Sequence, residues 1–193
     1  MIASLPMYDR PETRATNEKL WAYISEALEI KAPLTFPDDP MAQWHDPALL
    51  FSQTCGMPYR KRLHGKVQLV ASPIHHLDAP EGHYYSVIIT RKSDDRTQLS
   101  DFATAPLAVN DPISQSGYSA PMTLAASLGF QFSNIRPSGA HRNSARMVAD
   151  GRADIAAIDA VTWELIKRWD DFAGELRELT QTPPTRPCPI SPR

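Results

Sequence analysis

The chain opens with a short apolar run, residues 2–6, that reads as a first strand. The turn Met7-Tyr8-Asp9 follows. Asp9 stands where it can cap a helix whose first turn holds Pro11 and Glu12. Leu20, Trp21, Ile24 and Leu28 then recur at helical spacing and predict one apolar stripe. Pro33, Pro37 and Pro40 end that helix in a loop. Residues 46–51 read as a short helix or the approach to a strand, Cys55-Gly56 as a turn, and residues 67–71 as a strand closed by Pro73. Residues 84–90, YYSVIIT, are aromatic, β-branched and continuous, which predicts a buried strand.

Past residue 90 the pattern becomes regular. Residues 107–109 predict a strand, the polar turn NDPISQSG follows, and a helix runs through Leu128. Residues 130–135 predict the next strand. The turn RPSGAH then leads into a helix that carries Ala145, Val148 and Ala149 and stops at Gly151, a residue suited to the position just past a helix end. Residues 155–158 predict a buried strand, and Asp159 opens a helix with Trp163, Ile166 and Trp169 on its apolar side. Residues 176–179 predict one more strand. Alternation of this kind specifies an α/β fold with mostly parallel sheets flanked by helices. The expected division is residues 1–85 plus 179–193 as one lobe and 86–178 as a second.

Length and composition are those of an ordinary globular protein: 193 residues, 42% hydrophobic and 22% charged. The formal net charge of -2 gives no basic field, so nucleic acid is excluded as an expected partner and any bound anion must be held by local groups. Two cysteines, Cys55 and Cys188, do not make a disulfide framework. No apolar run approaches a membrane span. MIASLPMYDR lacks a basic region followed by an apolar one, which leaves a cytoplasmic protein or one whose secretion signal has been removed. Of the 18 prolines, five fall within residues 183–193, a density that excludes helix and central strand and predicts an extended tail.

In open α/β sheets ligands gather at the carboxyl ends of strands, and three such turns carry polar groups. In Asn110-Asp111-Pro112-Ile113-Ser114-Gln115-Ser116-Gly117, two serines and a glycine precede a helix. Its unpaired N–H groups and the hydroxyls together can hold an anion without a lysine, or a serine can simply cap the helix. In Ser138-Gly139-Ala140-His141 the imidazole falls in the first helical turn, as an anion donor or a packing histidine. Asp159, at the end of an apolar strand, is an N-cap or an acceptor for a ligand N–H or O–H group. His75, His76, Asp78, Glu81 and His83 match no closed zinc spacing and read as a polar loop. No phosphate-binding or dinucleotide glycine motif occurs, and no cofactor is expected. Ser114 or Ser116 with His141 and Asp159 has the residue types of a catalytic triad, without the G-x-S-x-G elbow.

The runs LAVNDPISQSGY and SGAHRNSARMVADGRADIAAIDAVTW, with ASLPMYDRPET and QTCGMPY near the start, resemble the phosphate/phosphonate-type periplasmic solute-binding proteins of ABC importers over residues 2 to about 185. The resemblance implies a two-lobed type II periplasmic-binding fold with a ligand cleft between the lobes, and a permease and an ATPase as partners. It implies that Ser114, Gln115, Ser116, Gly117 and His141 hold an oxyanion such as phosphate or a phosphonate. Asp159 meets the rest of the ligand, while Tyr8 and the Cys55 turn face it from the first lobe and Tyr84 or Tyr85 stacks on it from the crossover. It also implies a periplasmic location and no catalysis. Two departures stand out. Gln115 occupies a place where the family often has a small hydroxyl residue. The proline-rich ending stands where the family continues with a helix, as in a divergent or truncated member. The rival readings are a hydrolase or transferase for phosphorylated small molecules built on Ser116 and His141, and a cytoplasmic ligand-sensing domain of the same fold.

Overall fold

The structure, a computed structural model, describes residues 1–186 and the backbone of 190–192. The chain folds as two compact units, one of residues 1–73 with the segment at 190–192, the other of residues 74–186.

In the first unit a four-stranded sheet has the order β2-β1-β3-β9: β1 is Ile2–Ser4, β2 Leu34–Thr35, β3 Leu49–Gln53 and β9 Ile190–Pro192. β1 runs parallel to β2 and β3, and β9 runs antiparallel to β3. Within the proline-rich ending, residues 190–192 form an edge strand, while 187–189 and 193 lie outside the described residues. Proline is tolerated at an edge because no inner neighbour needs its missing N–H. Cys188 lies outside the described residues. Helices α1 (Arg14–Ala27), α2 (Pro40–His45) and α3 (Gly56–Pro58) connect the strands, α3 continuing as a π-helical turn, Tyr59–Leu63.

Three local expectations are corrected in this unit. Asp9 does not cap α1. Pro6–Tyr8 form a 3-10 turn, Thr13 takes the N-cap place, and Asp9 instead accepts hydrogen bonds from the side chains of Arg14 at 2.7 Å and Asn17 at 3.4 Å. The apolar stripe narrows to Trp21, buried against Phe51 with its Nε1 donating to the Ala32 carbonyl, and the half-buried Ile24. Leu20, about 100° round the helix from Trp21, and Leu28, past the last turn, are exposed. Residues 67–71 form no strand: Val67 packs on Trp44, Leu49 and Leu63, while Leu69 and Val70 face outward.

The second unit holds a five-stranded sheet of order β6-β5-β7-β4-β8. Its strands are β4 (Ser86–Arg91), β5 (Pro106–Val109), β6 (Asn134–Pro137), β7 (Ile155–Asp159) and β8 (Leu176–Gln181). β6, β5 and β7 are parallel, and β4 is antiparallel to both β7 and β8. Thus a single strand runs against the rest in each sheet. The predicted strand 130–135 begins only at Asn134, because Phe130 and Phe132 turn into the core edge to edge, 5.3 Å apart. Helices α4 (Ala120–Ser127), α5 (His141–Ala149) and α6 (Ala160–Trp169) follow β5, β6 and β7.

Burial on both faces explains the continuous apolar runs. Along β4 and β7, Val87, Ile89, Ala156 and Ile158 face the layer made by Ala145, Val148, Trp163 and Ile166 of α5 and α6. Ile88, Ile155 and Ala157 face the other layer, with Phe102 and Ala125. Trp169, expected in the stripe of α6, is exposed at the helix end. The passages between the units fall at 73/74 and 186/187 rather than 85/86 and 178/179, since all of β8 pairs with β4 and Tyr84 bridges to Thr185. Ile89→Ala should lower unfolding free energy by about 2–5 kcal/mol in urea titrations. Leu128→Ala, at an exposed position, should stay within about 0.5 kcal/mol.

Candidate functional site

Parallel strands β6, β5 and β7 end at one edge of the second sheet, and each passes there into a helix. After β5 the chain makes a turn in which Ser114 takes the N-cap place, its Oγ accepting from the Gly117 N–H at 3.0 Å. Asp111 tightens the entry by accepting from the Ile113 N–H at 2.7 Å. The chain then winds through a π-helical turn, Gln115–Ser119, into α4. The first N–H groups of such a helix have no carbonyl behind them, so they face outward with a partial positive charge. Ser114, Ser116 and Gly117 are buried and Gln115 is half-buried.

After β6, Gly139 at φ +82° turns the chain so that α5 starts at His141. The imidazole reaches back to the first turn: Ser116 Oγ and His141 Nε2 share a hydrogen bond of 2.8 Å. The imidazole and Asn110 pack on Gly117. A Cβ there would stand 1.7 Å from Asn110 Oδ1 and 3.0 Å from His141 Cε1, so only glycine fits. After β7, Asp159 is buried and caps α6, accepting from the Thr162 N–H at 3.0 Å.

Sequence reasoning missed three residues at this edge. Ser86 opens β4 opposite Asp159 and donates from its Oγ to the Ser116 carbonyl at 2.9 Å. Thr182, just beyond β8, accepts from the Ser86 N–H at 2.9 Å. Asn110 is the residue packed on Gly117. Only Asn110 carried a legible signal, its place directly after a strand. The other two depend on antiparallel pairing of β4, which periodicity does not reveal.

Tyr84, two residues before β4, is buried and bridges to Thr185 through backbone hydrogen bonds of 2.8 and 2.7 Å. Tyr8 and Cys55 belong to the first unit. Tyr8 ends the 3-10 turn after β1, its carbonyl accepting from Thr13 Oγ1, and Cys55 is buried at the start of α3, after β3. They share the carboxyl edge of that unit's sheet. Among the described residues no three His, Cys, Asp or Glu side chains converge as a metal site, the 75–83 loop included.

Burial pushes the His141 imidazole down to about 4, and the nearby Ala157 backbone opposes this only in part. The ring is therefore neutral at pH 7. Its Nδ1 is buried. A triad would place a carboxylate at that nitrogen. The hydrogen bond that Asp159 accepts from Thr162 is that of a helix cap.

A family profile described as the periplasmic substrate-binding protein of an ABC phosphonate transporter matches residues 2–193. The chain belongs to that family. Its members are substrate-binding proteins of transport systems rather than enzymes. Solved structures share the fold of this phosphonate-family protein. A binding component of an ABC phosphonate transporter from Pseudomonas aeruginosa superposes with TM-score 0.80 at 17% identity, over 100% of this chain and 68% of that one. PhnD1 from Prochlorococcus marinus, in complex with methylphosphonate, gives 0.82 at 13% identity, over 100% and 75%. An ancestral arginine-binding protein bound to arginine gives 0.67 at 14% identity, over 100% and 84%. The shared fold is thus that of periplasmic binding proteins at large. No curated protein matches the sequence.

Two outcomes follow from the site's packing. Because His141 is neutral in the fold and protonates near 6.5 when exposed, the unfolded chain binds more protons between pH 6.5 and about 4. Stability from this group is full above that window and falls as pH drops through it, by about 3 kcal/mol. Urea midpoints measured from pH 7 to pH 4 should show this fall, and His141→Gln should flatten it. Gly117→Ala should lower the melting temperature, because Asn110 or His141 must move to admit the methyl group.

Proposed function

We propose that this chain is the oxyanion-binding component of an ABC importer, taking phosphate or a phosphonate. It works in the periplasm and delivers its ligand to a membrane permease driven by an ATPase. The observation that carries the reading is the 2.8 Å hydrogen bond between Ser116 and His141 beside the capped start of a helix. Family membership supports the same ligand class, as does the methylphosphonate held by the Prochlorococcus relative.

The chemistry asks for no cation. The Ser114 and Gly117 N–H groups are spent within the turn, so the backbone donors proposed for tetrahedral oxygens are those of residues 115 and 116, together with the hydroxyls of Ser114 and Ser116. The neutral imidazole of His141 adds to them without fixing a counter-charge. Gln115 presents an amide in the same turn, and Gly117 lets the backbone come close. Asp159, buried, supplies an acceptor for an N–H or O–H group elsewhere on the ligand. Tyr8, Cys55 and Tyr84 are proposed as further ligand contacts.

Thermal unfolding with phosphate, methylphosphonate, aminoethylphosphonate, phosphite and sulfate tests the reading. An oxyanion at a hundredfold excess over its dissociation constant should stabilise the protein by about 2.7 kcal/mol. The double variant Ser116→Ala, His141→Ala should lose that shift. A folded sample that responds to none of these anions would refute the proposal.

A further inference from the structure

Helix α1 carries two stripes, and only one of them is used inside its own unit. Trp21 packs on Phe51, with Ile24 beside it. On another side Leu20 is 46% exposed and Tyr23 74%, and Thr16 and Ala27 are exposed with them. At 100° per residue these four fall within about 60° of arc, roughly 130° round from Trp21. Positions 16, 20, 23 and 27 follow one another at the alternating four-and-three spacing of a coiled-coil seam. Apolar residues scattered singly over a surface need no partner; a leucine and a tyrosine in register along one helix face mark a contact.

The charges beside the seam say what covers it. Lys19 and Glu26 each stand directly before a seam residue, so both lie on the same flank. Both are exposed, and neither has an ion-pair partner among the described residues. When two helices pack antiparallel, like flanks meet. A two-fold axis between positions 21 and 22 sets Leu20 on the partner's Tyr23 and Thr16 on the partner's Ala27. Each Lys19 then lies within about 3 Å, along the axis, of a level with the partner's Glu26. The patch is complementary to itself in both apolar register and charge, as a closed two-fold contact requires. A wholly acidic or wholly basic partner would match only one of the two charges.

We propose that the outer face of α1 is a self-association surface on which a second copy of this chain docks antiparallel. The helix has 14 residues, a length of about 21 Å. Such a pair buries less than the ~1,200 Å² usual in stable complexes, so the dimer is weak and forms at high protein concentration.

Sedimentation equilibrium of the full chain, at low ionic strength where exposed charges are least screened, should show a reversible monomer–dimer equilibrium between ~10 μM and ~1 mM, the affinity range of a small interface. Tyr23→Ser should abolish it. Lys19→Glu or Glu26→Lys alone should each weaken it about tenfold, because two attractive pairs become two repulsive ones. Melting temperatures should not change, since all three side chains are exposed. Mixing the two charge variants tests the geometry. One then carries two acidic flank residues and the other two basic ones, so the mixture should form a heterodimer at least as tight as the wild-type dimer. The double variant Lys19→Glu, Glu26→Lys should regain the wild-type constant. A wild type that stays monomeric over this range, a dimer that Tyr23→Ser leaves intact, or a mixture that associates no better than its components overturns the proposal.

Discussion

Strand β4 lies between β7 and β8 and runs against both, so every backbone N–H and C=O it carries inward must find its partner in one fixed register. That register sets Ser86 opposite Asp159. It also brings the amino end of one strand to the carboxyl end of the parallel set, where the helices begin. From there Ser86 holds the Ser116 carbonyl, and Thr182 holds Ser86. A slip by one residue would turn Val87, Ile88 and Ile89 to the wrong faces and remove Ser86 from the edge. The polar turn is therefore braced from the sheet as well as by its own cap.

The opposite end of β4 is fixed by charge. Arg91 donates to the carbonyls of Val148 and Ala153 and to Asp154, which also pairs with Arg96; Asp94 pairs with Arg96 as well. The guanidinium of Arg96 holds the Asp94 carboxyl down at about 2. Arg96 also lies over the Phe102 ring. These groups tie the entry of β7 to the exit of β4. A rigid sheet of this kind lets loops at the other edge present donors at fixed places, which preorganises them for a ligand.

The donors proposed at that edge are neutral groups. A lysine or arginine would bind many anions; hydroxyls, N–H groups and an uncharged imidazole select by direction instead. Gly117 is the point where these constraints meet, because Asn110 and His141, the latter bonded to Ser116, crowd round a Cα that has no side chain. Arg142, next to His141, is turned away to the buried carboxylate of Asp170, which keeps a permanent cation off the turn and anchors the first turn of α5.

Much was legible in the sequence. Continuous apolar runs marked β4, β5 and β7, helical spacing marked α5 and α6, and the serine turn, His141 and Asp159 stood at strand ends where α/β sheets place polar groups. Those signals are local, and the residues carrying them are consecutive. The tertiary structure decided what depends on pairing between distant segments. It turned Leu20 and Leu28 outward, left residues 67–71 without a partner strand, gave residues 190–192 an edge of β3, and gave Ser86, Thr182 and Asn110 their neighbours. No periodicity encodes which strand lies beside which, because register is chosen by burial and hydrogen bonding over the whole sheet. The sequence by itself determined the alternation and the chemistry of its turns; the fold alone decided that Ser116 and His141, 25 residues apart, would share a hydrogen bond.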